Sequence, residues 1–180
     1  MVVYKNMHYI LIGLTVAILA LTFVIGKDSG VSTDDTHRTS QEVTQSVGGE
    51  TEVISTVSLD LSGNGLIKAP SYIFERTDIE ELNLSNNELE GSLQAEVRHL
   101  QNLKVLDLSN NNFTGVPAEV GQLNNLEILN LSNNKLTGLP YELGNLSKLR
   151  VLDVSGNLYS EADLLRIREG LPASTVVKTQ

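Results

Sequence analysis

The chain contains no cysteine and no tryptophan. The first absence removes any disulfide framework and any thiolate nucleophile or metal ligand. Zinc coordination would be left to His8, His37 and His99, which stand far apart in the sequence. They read as a residue flanking an apolar segment, a linker residue and a repeat-surface residue. Neither a metal nor a cofactor is expected. Aromatic residues make up only 4% of the 180, too few for a platform that stacks bases of single-stranded nucleic acid. Positive charge is scarce as well. Lys and Arg number 13 against 22 Asp and Glu, a net charge of −9, which is the wrong sign for a phosphate-binding surface. No nucleic-acid partner is expected.

Long apolar runs are rare too, and the one present is at the amino end. Tyr9 to Ile25, "YILIGLTVAILALTFVI", holds 17 residues without a charge. At 1.5 Å per residue it reaches about 25 Å, the short end of what spans a bilayer. It has no polar face for solvent, which argues against a buried core helix of a globular domain. It is longer than the apolar core of a secretory signal, and Val24-Ile25-Gly26 is a weak cleavage pattern. Residues 1–26 therefore read as an uncleaved single-pass anchor. Lys5 precedes the run with no acid beside it, which keeps the amino terminus cytoplasmic and the rest outside. Secretion after cleavage is the alternative.

Residues 27–52 are rich in Ser, Thr, Asp, Glu and Gln, with Val31, Val43 and Val47 as the only aliphatics. Such a segment buries too little apolar area to offset backbone entropy, and it reads as a flexible polar linker.

What the chain has in plenty is leucine and asparagine in register. Asn64, Asn87, Asn111, Asn134 and Asn157 follow one another at spacings of 23, 24, 23 and 23. Ahead of each stands an apolar pair: Leu59/Leu61, Leu82/Leu84, Leu106/Leu108, Leu129/Leu131 and Leu152/Val154. Three residues before these pairs come Ile79, Leu103, Leu126 and Leu149, with Thr56 as the exception. Two residues after the asparagine come Leu66, Leu89, Phe113, Leu136 and Tyr159. This pattern, LxxLxLxxNxL, resembles the leucine-rich repeat family from Val53 to about Val177. "FTGVPAEVGQLNNL" and "LTGLPYELGNLSKL" are similar to its plant-type and typical extracellular variants.

The resemblance implies an α/β-type solenoid, a short right-handed coil with a parallel sheet on its concave face. Five repeats would occupy residues 53–159. Residues 160–180 form a carboxyl-terminal helix–strand cap. Ser160 is its N-cap, Asp163 suggests a capping box, and Leu164, Leu165 and Ile167 pack on the last coil. Gly170 and Pro172 end the helix, and residues 174–177 read as an edge strand. "GVP" and "GLP" break any long helix on the convex side.

In each L-x-L piece the leucines point inward and the x residues outward. The aligned asparagines Asn64, Asn87, Asn111, Asn134 and Asn157 form an inward ladder. Each carboxamide donates to carbonyls of a neighbouring coil and accepts from amides of its own. Asn110 and Asn112 flank Asn111 on the turn, where asparagine tolerates unusual dihedrals.

Three outward columns follow. The first is Ser58, Glu81, Val105, Ile128, Val151. The second is Asp60, Asn83, Asp107, Asn130, Asp153. The third is Ser62, Ser85, Ser109, Ser132, Ser155. Asp107 beside Ser109 suggests an acid and a nucleophile, but no histidine or lysine accompanies them, so catalysis is not expected. The resemblance implies protein or peptide binding on the concave face, with Glu81, Asn83, Val105, Asp107, Ile128, Asn130, Val151 and Asp153 as contacts. Five strands give about 350 Å² against roughly 800 Å² per partner in a standard interface. Binding is then weak or avid, which suits a membrane-tethered module. The alternative is a structural envelope subunit with no concave-face ligand. Four N-x-S/T sequons, at Asn83, Asn112, Asn130 and Asn145, arise mostly from the repeat consensus and say little about glycosylation.

Overall fold

Three-residue strands recur at the repeat period because the L-x-L pieces are too short to be anything but strand and too regular to sit apart. A computed structural model describes residues 39–47 and 50–179; up to residue 55 it gives strand pairing only. These residues belong to a unit spanning 37–180. The apolar run Tyr9–Ile25 and the anchor reading lie outside the described residues. Among the described residues no helix is long and apolar enough to cross a membrane.

Strands β1 (Thr39–Val47) and β2 (Glu50–Asp60) come first, then β3 (Glu81–Asn83), β4 (Glu90–Gly91) and β5 (Val105–Asp107). They are followed by β6 (Asn112–Phe113), β7 (Ile128–Asn130), β8 (Val151–Asp153) and β9 (Val176–Lys178). Among the described residues the main sheet has seven strands in the order β1-β2-β3-β5-β7-β8-β9. From β2 onward the pairing is parallel. Leu59, Leu82, Leu106, Leu129, Leu152 and Val177 share one row of the register. All but the last are fully buried.

β1 and the start of β2 lie in the span read as a flexible linker. They pair antiparallel, from Thr39↔Ser58 to Val47↔Glu50. Composition argued against a packed core there, and the ribbon instead extends the main sheet through the end of β2, which pairs with β3. Such a ribbon needs β-branched residues, and this stretch holds Val43, Thr44, Val47, Thr51, Val53 and Ile54.

On the far side of each coil sits a 3-10 helix: Ser71–Glu75, Ala95–His99, Ala118–Gln122 and Tyr141–Asn145. Pro70, Pro117 and Pro140 stand just before three of them in extended conformation, and Gln94 before the fourth. Proline there pre-sets φ and loses a donor that a helix start leaves unpaired anyway. Ile73, Val97, Val120 and Leu143 turn inward from these helices and are fully buried.

Two glycines let neighbouring coils approach. A Cβ on Gly121 would collide with the carbonyl of Glu142. A Cβ on Gly170 would lie 2.6 Å from the Gly144 carbonyl oxygen. The second contact seats helix α1 (Glu161–Gly170) on the last 3-10 helix. Gly170 is thus a packing residue in the last position of α1, and the chain leaves the helix at Leu171 in extended conformation.

The cap departs from expectation in two further respects. Ser160 does cap α1, accepting from Ala162 N at 3.2 Å. Asp163 makes no capping box; its carboxylate instead accepts from Leu139 N at 3.4 Å. Leu164 and Ile167 pack inward, but Leu165 is 63% exposed. Positions 164 and 167 share one helix face with Leu171, and position 165 falls on another.

Candidate interaction face

Each repeat strand ends in the same local device. Asp60 Oδ1 accepts from Ser62 N, Asn83 Oδ1 from Ser85 N and Asp107 Oδ1 from Ser109 N, at 2.9–3.0 Å. Asn130 and Asp153 do the same for Ser132 and Ser155 at 3.1 Å. This side chain to backbone bond two residues on is why Asp and Asn fill the column. It also disposes of Asp107 and Ser109 as acid and nucleophile, because they share one turn and Ser109 is buried.

The third column is therefore not an outward hydroxyl stripe. Ser85, Ser109 and Ser132 are buried. Past the strand ends their carbonyls carry the ladder on, and those of Ser109 and Ser132 accept from Asn86 N and Asn110 N at 3.0 and 2.9 Å. The turn then takes a left-handed residue. Asn86, Asn110 and Asn133 have φ of 56°, 54° and 53°, and Gly63 and Gly156 each have 66°. Asparagine and glycine tolerate that conformation at least cost. Asn110 thus has the role expected of it. Asn112 does not: it opens β6, which pairs with β4 in a second, two-stranded sheet.

The asparagine ladder follows. Asn111 Nδ2 donates to the carbonyls of Leu84, Leu108 and Ser109 at 3.0, 3.1 and 3.1 Å. Its Oδ1 accepts from Leu89 N at 3.0 Å. Asn87, Asn134 and Asn157 repeat the set in their own coils. The oxygen accepts from the preceding coil, not from its own as expected, while the nitrogen serves both. Asn64 departs from the ladder. It is exposed, and among the described residues its carboxamide donates to Ser62 O alone, at 3.2 Å. The other four reach back across one coil, and the first aligned asparagine has no repeat coil behind it.

The apolar part of the sheet's outer face is the first column. Val105, Ile128, Val151 and Val176 stand side by side in the register of β5, β7, β8 and β9. Ile128 and Val176 are exposed and the two valines between and beside them half-buried. Glu81 continues the column on β3, opposite Val105. Val176 extends the stripe by one strand beyond the five repeats.

Two polar rows border the stripe. On one side Asn130 Nδ2 donates to Asp107 Oδ2 at 3.1 Å, and Lys178 Nζ lies 3.5 Å from Asp153 Oδ2. On the other, Lys104 pairs with Glu80 at 2.9 Å and Arg150 with Glu127 at 3.2 Å. That alternation of sign, Glu80, Lys104, Glu127, Arg150, is visible in the sequence once the repeats are aligned, one position ahead of the first column. It was not among the expected features.

A family model described as leucine rich repeat matches residues 55–113 and 101–158. A curated relative, the receptor-like protein CLAVATA2 of Arabidopsis thaliana, is 45% identical over 64 residues, 35% of this chain and 9% of its own length. The chain thus spans under a tenth of that relative. Solved structures are similar as well. A leucine-rich-repeat protein of Leptospira interrogans shares 38% identity at a TM-score of 0.57, over 62% of this chain and 28% of that one. The leucine-rich-repeat ectodomain of the receptor kinase SOBIR1 from Arabidopsis thaliana shares 27% at a TM-score of 0.58, over 91% and 89%. The plant peptide hormone receptor RGFR1, solved in complex with RGF2, shares 30% at 0.52, over 62% and 18%. The chain belongs to the leucine-rich repeat family.

Proposed function

We propose that residues 53–180 are a non-catalytic module that binds a protein or peptide on the concave sheet face, tethered through residues 27–52 to a membrane helix in residues 1–26. The repeats then lie outside the cytoplasm. The observation that carries the binding reading is the stripe Val105, Ile128, Val151 and Val176, unbroken across four strands and open to solvent at Ile128 and Val176. Apolar side chains flanked by polar rows are what a contact surface offers a partner. Glu81, Asn83, Asp107, Asn130 and Asp153 form the polar part of the same face. Their side chains already serve the turns, so they set orientation and charge more than affinity. The receptor-kinase ectodomain among the similar structures supports the reading, and so does the peptide hormone receptor in complex with RGF2.

The affinity is modest. Six parallel strands at about 4.8 Å spacing give a face near 400 Å², half of what each partner of a stable complex buries. Display at a membrane offsets that by raising the effective concentration. The test is a photo-crosslinker placed at position 128 of the full chain in native membranes, and at position 122 on the opposite side as control. A discrete adduct from position 128 alone supports the face. Equal labelling from both positions, or none from 128, rejects it. Membrane fractionation with amino-terminal sequencing tests the anchor: a soluble form beginning after residue 26 would reject it.

A further inference from the structure

We propose that Asn64 is a site of non-enzymatic deamidation, the one member of the aligned asparagine column chemically open to it. In this reaction the backbone nitrogen of the next residue loses its proton and attacks the asparagine Cγ. The N–Cγ bond forms, the Cγ–Nδ2 bond breaks, and ammonia leaves. Water then opens the resulting succinimide at either carbonyl, giving aspartate or an isoaspartyl linkage. The step needs a free attacking N–H, a carboxamide that can turn toward it, and a backbone loose enough to close the ring.

Asn64 is followed by Gly65, the only Asn-Gly pair in the chain. Gly65 sits at a φ of +65°, and nothing lies within 4 Å of where its Cβ would be. Its N–H has no hydrogen-bond partner among the described residues. The Asn64 carboxamide is exposed and held by one bond, to Ser62 O. In every later coil the geometry is closed. The nitrogen after Asn87, that of Glu88, donates to Leu66 O at 2.9 Å. The nitrogens after Asn111 and Asn134, those of Asn112 and Lys135, donate to Leu89 O at 2.8 Å and Phe113 O at 2.9 Å. The nitrogen after Asn157, that of Leu158, donates to Leu136 O at 2.9 Å. Each of those carboxamides also donates three bonds and accepts at least one, two in the case of Asn87. The difference lies in position: coils are locked by the coil before them, and the first has no repeat before it.

The product has a structural consequence. Asn64 N and Leu66 N together grip Asn87 Oδ1, at 2.9 and 3.0 Å. An isoaspartyl linkage adds a backbone carbon between those two donors, so both cannot keep their reach. The aspartyl product keeps the spacing and adds one negative charge. Deamidation by the first route therefore loosens the amino-terminal end of the ladder, and by the second route leaves it intact.

The test is peptide mapping by mass spectrometry after incubation of the folded full chain at mildly alkaline pH, beside the same chain in urea. A second arm uses Lys135→Gly, which places an Asn-Gly pair in the closed geometry on an exposed turn. The expected result is conversion of Asn64 at comparable rates folded and in urea. Asn134 in the variant should convert at least about tenfold more slowly when folded than in urea, because it must wait for local opening. Two results overturn the proposal: Asn64 staying an amide in the folded chain while converting in urea, or Asn134 of the folded variant converting as fast as Asn64. The first arm needs no variant, so a misfolded substitution does not decide the outcome.

Discussion

Asn111 Nδ2 donates to the carbonyl of Leu84, 27 residues earlier, at 3.0 Å. That bond ties one coil to the coil before it, and the same nitrogen serves two carbonyls of its own coil. Replacing the side chain strands Leu89 N, at about 1–3 kcal/mol, and takes one of two donors from each of the Leu84, Leu108 and Ser109 carbonyls. Asn111→Leu is expected to lower stability by about 3 kcal/mol or more, read as a shift in the urea midpoint. Asn64→Leu, at an exposed carboxamide, is expected to stay within about 0.5 kcal/mol of the parent. Equal losses would mean that burial in the ladder is not what stabilises the coil.

Asn110 occupies the left-handed position at a φ of 54°. The chain itself uses glycine there in the first and last copies, at Gly63 and Gly156. Asn110→Gly should therefore be nearly silent in thermal unfolding. Asn110→Val places a β-branched residue in that conformation and should cost about 1–2 kcal/mol. A valine variant as stable as the parent would show that the turn is not held in this geometry.

Glycines in similar contexts part company over what lies beside them. A Cβ at Gly121 meets the Glu142 carbonyl, whereas at Gly115 there is open space. Gly121→Ala forces two coils apart and is expected to lose about 1–3 kcal/mol. Gly115→Ala should be neutral or gain up to about 1 kcal/mol by restricting the unfolded chain. Denaturant melts of the two variants side by side decide it.

On the outer face, structural and binding roles separate by column. Asp107 holds both Ser109 N and Asn130 Nδ2. Asp107→Lys should thus lower the melting temperature and weaken partner capture together. Ile128 is 37% exposed and makes no such bond. Ile128→Glu should leave the melting temperature within a degree or two of the parent while abolishing partner capture. Capture that survives Ile128→Glu would contradict the apolar stripe as the contact.

The sequence made the repeat legible because two periodicities coincide in it: alternation within L-x-L and recurrence every 23 or 24 residues. Leu106 and Asn111 were placed inward on that ground alone, and both are buried. What the pattern hid was which outward-reading positions are taken up by the backbone. Ser85, Ser109 and Ser132 alternate as if outward, yet the chain has already begun to turn and buries them. Asn64 matches the consensus, but alignment alone carries no information on what stands behind the first coil. Likewise Gly170 read only as a helix terminator and Gly121 carried no signal, and the packed structure shows carbonyls lying against both. Leu165 read as core because it is leucine; the helix phase puts it outside.

The most direct measurement is the hydrogen exchange of side-chain carboxamides, followed residue by residue by NMR in the folded chain. If successive coils are cross-tied as described, the Nδ2 protons of Asn87, Asn111 and Asn134 exchange only through opening of the coil stack, and so far more slowly than those of Asn64 and the exposed Asn145. Exchange of all five at the rate of free asparagine would contradict the account.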